Sequence, residues 1–248
     1  ATFRAPDGRE RGTSMSAVTH RPVDAAVIAA QDREDVAVGN VIVRHRRASR
    51  LIHWTVSLLF FICLFTGMPI WTPIFGWMAA LFGGLSVCRV LHPWTGVAFS
   101  LSMGVMFFHW LSDMRAESSE KRWSVRDALA YMRYETDESN TGKYNGGQKL
   151  FFFAVALGAL GFLLSGLLMW FPRYFPPLLR QLSYVIHDVT FIAFTVAIVF
   201  HIYLGTAAEP GTFGSMIRGT VTRQWARLHH GRWYREVTGD RVENDRRG

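Results

Sequence analysis

The chain has 248 residues, half of them hydrophobic and 19% charged, with a net charge of +8 and two cysteines. The apolar residues are gathered into long blocks with the charges between them, which is the distribution of a polytopic membrane protein rather than of a soluble domain. The positive charge is therefore no signature of nucleic-acid binding. Two cysteines cannot ligate zinc or an iron–sulfur cluster, and without a C-x-x-C-H motif covalent haem attachment is excluded.

Residues 1–40 are polar and lack the apolar run of a signal peptide. Their first methionine is Met15, which suggests a processed extension or an uncertain start, and their composition predicts disorder or a segment draped over a partner. Residues 41–211 hold four blocks long enough to span a membrane as helices: Leu51–Ile70, Leu91–Leu111, Leu150–Phe171 and Tyr184–Thr206. Lys and Arg alternate between the connections. Val41–Arg50 has four, Ser112–Lys149 seven and the tail after Thr206 eight, whereas Trp71–Val90 has only Arg89 and Pro172–Ser183 only Arg173 and Arg180. The positive-inside rule then gives an all-α, integral membrane four-helix bundle with both termini cytoplasmic.

In the first span, His53 follows the arginine cluster at the cytoplasmic level. Gly67 comes fourteen residues later on the same face, where a flat, bulky group can approach the helix. His45, among the arginines, reads as a surface residue. Trp71–Val87 is too short and broken to cross and reads as an outer interfacial segment, with Cys88 in the outer loop. The second span opens on Arg89-Val-Leu-His92-Pro-Trp-Thr-Gly96, an echo of Arg50-Leu-Ile-His53-Trp-Thr. His92 is thus at the outer level, with Gly96 clearing the face beside it, and His109 at the far end is a competing inner ligand.

The loop 112–149 carries a capping-box pattern at Ser124–Asp127 that predicts a short surface helix through Tyr134. It ends in Gly142-Lys-Tyr-Asn-Gly-Gly-Gln-Lys149 at the mouth of the third span. The third span has glycines and a serine but no histidine. The fourth carries His187 and His201. Fourteen residues apart, they share a face and are separated by about 21 Å along the axis. Residues 212–248 form a basic, aromatic tail predicted to lie on the cytoplasmic surface with surface helices. His20, His229 and His230 read as solvated.

One membrane histidine usually serves an interhelical hydrogen bond. Four that sort by level into His53/His201 and His92/His187 point instead to two bis-imidazole, non-covalent haems b sharing the fourth span. Arg50 and Arg89, each three residues before a ligand, suit haem propionates. Asn145 and Gln148 beside the inner pair can hold a quinone carbonyl, or they merely cap the third span.

With these residues in place, the chain resembles the cytochrome b (gamma) subunit of respiratory membrane-bound formate dehydrogenases. The matching pieces are His53-Trp54, Arg89–Pro93, Gly142–Lys149, His187 with His201, and Arg223–Glu236. The resemblance implies a bacterial cytoplasmic (inner) membrane protein, with lipid around it. Its partners would be an iron–sulfur (beta) subunit and a molybdenum- or tungsten-pterin catalytic (alpha) subunit that oxidises formate. It also implies electron flow from the outer to the inner haem, and quinone reduction near Asn145, Gln148 and His201. Related cytochromes b serve nickel–iron hydrogenases, the alternative donor. A haem-free anchor would leave the histidines without a role.

Overall fold

The computed structural model describes residues 21–115 and 139–240. Four long helices form a bundle: α2 (Arg47–Trp71), α3 (Leu85–Met114), α4 (Gly146–Trp170) and α5 (Pro177–Tyr203), the last running on through a π-helical turn at Leu204–Ala208. Each is long and apolar enough to cross a membrane. Large apolar side chains such as Leu101, Phe108 and Leu157 point outward at 66–76% exposure, a surface that hydrocarbon and not water satisfies. Each helix begins before its apolar block, at Arg47, Leu85, Gly146 and Pro177. One consequence is that Cys88 is not in a loop: α3 begins at Leu85, and Cys88 is buried in its first turn. The 3-10 segment Pro73–Phe82 is the interfacial piece between α2 and α3.

Backbones pack closely at α2–α3, α3–α4 and α4–α5. The α2–α5 seam is closed by side chains instead, Phe60 against Phe194 (5.3 Å between ring centres) and Trp71 against Phe191 (5.4 Å). At mid-height Phe60, Phe99 and Phe194 meet with Val56, Met103, Val155 and Ala159 in the main core. Gly158 makes room for this: a Cβ there would lie 2.7 Å from the Phe194 ring.

At one end of the bundle sits a small module that the all-helical expectation lacked. It contains the helix α1 (Arg21–Ala30) and the strands β1 (Val36–Val38), β2 (Val41–Val43) and β3 (Thr220–Thr222). Three short helices follow the spans: α6 (Thr212–Ile217), α7 (Arg223–His229) and α8 (Gly231–Thr238). The sheet is antiparallel in the order β1-β2-β3, pairing Val36 with Val43 and Ile42 with Val221. Gly39, at φ 56°, makes the turn between the first two strands. Ile42, Val221, Trp225, Ala226 and Trp233 form the module's core. The tail therefore folds its tryptophans inward onto the sheet instead of spreading on a surface. The described part of the 1–40 stretch is likewise a helix and a strand. The helix expected at Ser124–Tyr134 lies outside the described residues.

The module is pinned to the bundle by charge. Lys143 Nζ meets Glu34 at 2.7 Å and Asp35 at 3.1 Å, and Glu34 also accepts from the Ser49 hydroxyl and the Arg46 amide. Burial alone would raise the Glu34 carboxyl, but Lys143 and these hydrogen bonds outweigh it and hold the group below the usual value. A carboxyl lowered in the folded state stabilises it above its unfolded pKa and loses that contribution as pH falls through the folded value. Residues 31–40 should thus resist proteolysis at neutral pH and become cleavable by an acid-active protease only below about 4.5, the ordinary glutamate value. Glu34→Gln should be cleaved there at neutral pH as well; wild-type resistance in that variant would show that the carboxylate does not hold the segment.

Candidate functional site: two imidazole pairs

The structure brings the four histidines together as two pairs, at opposite ends of the bundle. His53 of α2 faces His201 of α5 at the module end, their ring centres 6.1 Å apart. His92 of α3 faces His187 of α5 at the far end, at 6.2 Å. Two imidazoles bound in trans to one metal, with bonds of about 2 Å and about 1.1 Å more from nitrogen to ring centre, hold their centres about 6 Å apart. Among the described residues no set of three or more His, Cys, Asp or Glu could hold a metal by side chains alone. Two opposed imidazoles suit a metal whose equatorial positions come from a macrocycle.

The far-end pair opens on a cavity of about 520 Å³ lined by His92, His187, Gly67, Gly96, Gly166 and Arg89. This is the size class of cofactor sites. One of its glycines is required by geometry: a Cβ on Gly67 would lie 2.8 Å from His92 Cε1, whereas one on Gly166 would make only ordinary contact with His187 at 3.6 Å. Gly96 has open space where its Cβ would be.

Hydrogen bonds to neighbouring helices orient both far-end rings. His92 Nδ1 lies 3.1 Å from the Cys63 carbonyl, which can only accept, so Nδ1 carries the proton and Nε2 keeps its lone pair. Thr66 Oγ1 is a second neighbour at 3.3 Å. His187 Nδ1 lies 2.8 Å from Ser165 Oγ, whose own proton goes to the Gly161 carbonyl at 2.6 Å, so here too Nδ1 donates. A hydrogen bond on the ring nitrogen away from the metal is typical of metal-binding histidines. Sequence reasoning assigned no ligand-orienting role to Cys63 or Thr66 and read Ser165 only as a packing residue; the signal was their place, Thr66 and Ser165 directly before Gly67 and Gly166 and Cys63 one turn before Gly67. The donor set, ring spacing and glycine-walled cavity fit a bis-imidazole haem.

At the module end, His201 stacks on Phe151 of α4 at 4.7 Å, nearly parallel. His53 Nδ1 is buried with no hydrogen-bond partner among the described residues. His109 does not compete for the pair: its Nε2 lies 2.9 Å from the Ser49 hydroxyl, which itself donates to Glu34. Arg50 is engaged by the Ile217 carbonyl (2.6 Å) and Gln31 (2.7 Å).

Asn145 and Gln148 form a complete capping box at the start of α4, with Asn145 Oδ1 accepting from Gln148 N (2.9 Å) and Gln148 Oε1 from Asn145 N (3.0 Å). Both carboxamide oxygens are thus committed to the cap, which directs the NH₂ groups elsewhere. Phe151, one turn beyond Gln148, carries the stack to His201, so the turn stands beside the module-end pair.

Two expected surface histidines are buried. His45 is 2% exposed, enclosed by Trp110 and Tyr144, and burial followed by Arg44 pushes its pKa well down. His230 is 1% exposed against Trp225 and Trp233. His20 lies outside the described residues.

Residues 44–219 match the family model described as prokaryotic cytochrome b561. The formate dehydrogenase cytochrome b556 subunit of Haemophilus influenzae is 30% identical over 208 residues, covering 82% of this chain and 87% of that one. In Escherichia coli K12, the cytochrome b556(Fdn) subunit of the nitrate-inducible formate dehydrogenase is 32% identical over 79% of this chain and 92% of its own length. The b556(fdo) subunit of the same organism is 32% identical over 80% and 94%. With four spanning helices and two imidazole pairs, the chain is a bacterial membrane cytochrome b that belongs to the prokaryotic cytochrome b561 family, among the formate dehydrogenase cytochrome b556 subunits.

Proposed function

We propose that this chain is the diheme membrane subunit of a formate dehydrogenase, carrying electrons from an iron–sulfur partner to quinone. The observation that carries the reading is the pair of facing imidazoles at each end of one bundle, at metal-bridging ring separation and sharing α5. A haem b between each pair would supply a one-electron carrier. His92 and His187, each with Nδ1 anchored and the Nε2 lone pair available, would hold one; His53 and His201 would hold the other. Arg89 lines the far-end cavity as a cation for propionates. Arg50, whose terminal nitrogens are occupied, serves first to tie α2 to the module and lends its charge from there. The phenylalanines at mid-height keep water from the space between the pairs.

The basic module end faces the cytoplasm, and the far end faces the iron–sulfur subunit, itself joined to a molybdenum- or tungsten-pterin subunit that oxidises formate in its own site. The membrane is the bacterial inner membrane. At the module end Asn145 Nδ2 and Gln148 Nε2 donate to a quinone carbonyl, and the cytoplasm supplies the protons.

The purified complex should hold two haems b per copy of this chain by pyridine haemochrome, and His92→Ala should retain one. A wild-type content of one haem or none would defeat the reading. For the quinone site, Asn145→Asp separates the two roles of the turn, because it keeps the capping oxygen and deletes the NH₂ donor. It should raise the quinone KM roughly tenfold, the scale of one hydrogen bond to a partly charged acceptor, while formate still reduces both haems. Wild-type quinone kinetics would leave the turn as a cap alone.

Inward electron movement works against a potential negative inside by about 2.3 kcal/mol per 100 mV for a full crossing. In liposomes holding the whole complex, formate on the partner side should therefore generate a potential, negative on the module side, that a voltage-sensitive dye reports. Quinone reduction without any potential would place donor and quinone on the same face.

A further inference from the structure

The tail motif Leu228-His-His-Gly-Arg-Trp-Tyr-Arg235 is not absorbed by the haem sites, yet it holds the segment that leads into the Asn145–Gln148 turn. Three carbonyls of that segment are taken by it. Arg235 Nη1 donates to Ser139 O (3.0 Å), and the Arg232 and Trp233 amides to Thr141 O (3.1 and 3.3 Å). His230 Nδ1 donates to Gly142 O at 2.7 Å, a contact in which the carbonyl can only accept. Arg44, stacked between Trp225 and Trp233, reaches Lys143 O at 2.5 Å. The approach is so close that a Cβ on Gly231 would lie 2.3 Å from the Ser139 carbonyl oxygen, and one on Gly142 would strike Arg232. Gly231 is therefore required by backbone contact, not by turn geometry: nothing larger leaves residues 139–142 where they are.

A capping box fixes the internal shape of the turn but not its place above the His53–His201 pair; the preceding segment does that. We propose that His230–Arg235 is a clamp that sets the position of the Asn145–Gln148 carboxamides for quinone, with His230 as its central positioning residue. This rests on the reading of that turn as the quinone site. The imidazole is suited to the task. It is buried between two indoles, with one nitrogen on the Gly142 carbonyl, and burial, reinforced by Arg44, keeps it neutral, so the contact does not change through the physiological pH range. A surface side chain making the same bond would share it with water.

The test uses the intact complex, with binding of a short-chain naphthoquinone and a short-chain benzoquinone measured alongside turnover. His230→Ala deletes the donor, and His230→Asn returns an amide N–H near the position of Nδ1. Arg235→Met loosens the exposed edge of the clamp without burying anything, and Asn145→Asp reports on the quinone site itself. We expect His230→Ala to weaken quinone binding about fivefold to tenfold and to raise KM in proportion, with haem content and formate reduction of the haems unchanged. His230→Asn should recover most of the loss, and Arg235→Met should show a smaller shift in the same direction. If Asn145→Asp weakens binding while His230→Ala, with both haems in place, binds quinone like wild type, the clamp is overturned and the quinone site stands. Equal losses in His230→Ala and His230→Asn overturn it also, because the ring would then act by bulk and not through the Gly142 bond. Should His230→Ala fail to assemble, unchanged affinity in Arg235→Met overturns it. Wild-type binding in Asn145→Asp removes the quinone reading and the clamp with it.

Discussion

The structure depends on placing four neutral imidazoles inside a bundle that lipid surrounds. An imidazole buried in hydrocarbon without a partner is unfavourable, so each must meet a ligand or a hydrogen-bond partner at its own depth. One helix, α5, supplies an imidazole at both depths. With fourteen residues between His187 and His201, their midpoint is Phe194, and on α2 the midpoint between His53 and Gly67 is Phe60; Phe99 follows His92 by the same seven residues. Steps of seven keep near to one helix face. The same faces that bear histidines at the ends therefore bear phenylalanine at mid-height, and these three rings form the centre of the core. The rings also explain why α2 and α5 can stand apart along their seam. A seam wide enough to admit a flat group at each end must be filled by large side chains between them.

The two pairs share a ring separation but not an environment. At the far end both Nδ1 atoms are anchored, to the Cys63 carbonyl and the Ser165 hydroxyl, so the rings are fixed in tautomer and rotation by the helices themselves. Such bonds raise the basicity of a ligating imidazole and favour the oxidised metal. At the module end His201 is oriented by the face of Phe151, with no acceptor for its ring among the described residues. Stacking fixes the plane of a ring without adding electron density to its nitrogen. The far-end imidazoles are thus the more electron-rich pair and those beside the turn the less electron-rich one.

The parts legible in the sequence were those carried by local signals. Spans of apolar residues, a fourteen-residue histidine spacing and an Arg-x-x-His echo are each contained within one helix, and the structure reproduces them. The glycine at 67 was legible as room for a flat group, although the contact it relieves is with His92 of the neighbouring helix, which spacing along α2 does not reveal. The hairpin was a missed local signal: Val36-Ala-Val-Gly-Asn-Val-Ile-Val43 is two short apolar, Val-rich runs about a two-residue Gly-Asn turn, at the edge of a stretch whose overall composition is polar. What could not be read was long-range. His45 and His230 lie among charges in the sequence, and only the pairing of β2 with β3, nearly 180 residues apart, encloses them with Trp110, Tyr144, Trp225 and Trp233.

That pairing also explains why a membrane helix bundle carries a sheet at all. The three pieces of chain that meet in the module are those entering α2, entering α4 and leaving α5, the three helices that bear His53, the Asn145–Gln148 turn and His201. Hydrocarbon packing sets the tilt and spacing of helices, but it does little to fix their ends, where the apolar surface gives way to water. A site built from three helix ends therefore needs a separate source of rigidity. Buried strand residues supply part of it and the Glu34–Lys143 pair another. Arg44 supplies the rest: held between two indoles with its guanidinium on the Lys143 carbonyl, it joins the strand before α2 to the segment before α4. Order at this end of the bundle is thus made outside the membrane and imposed on the helices from there, whereas at the far end it arises within the helices, from the serine, the backbone carbonyl and the glycines that enclose His92 and His187.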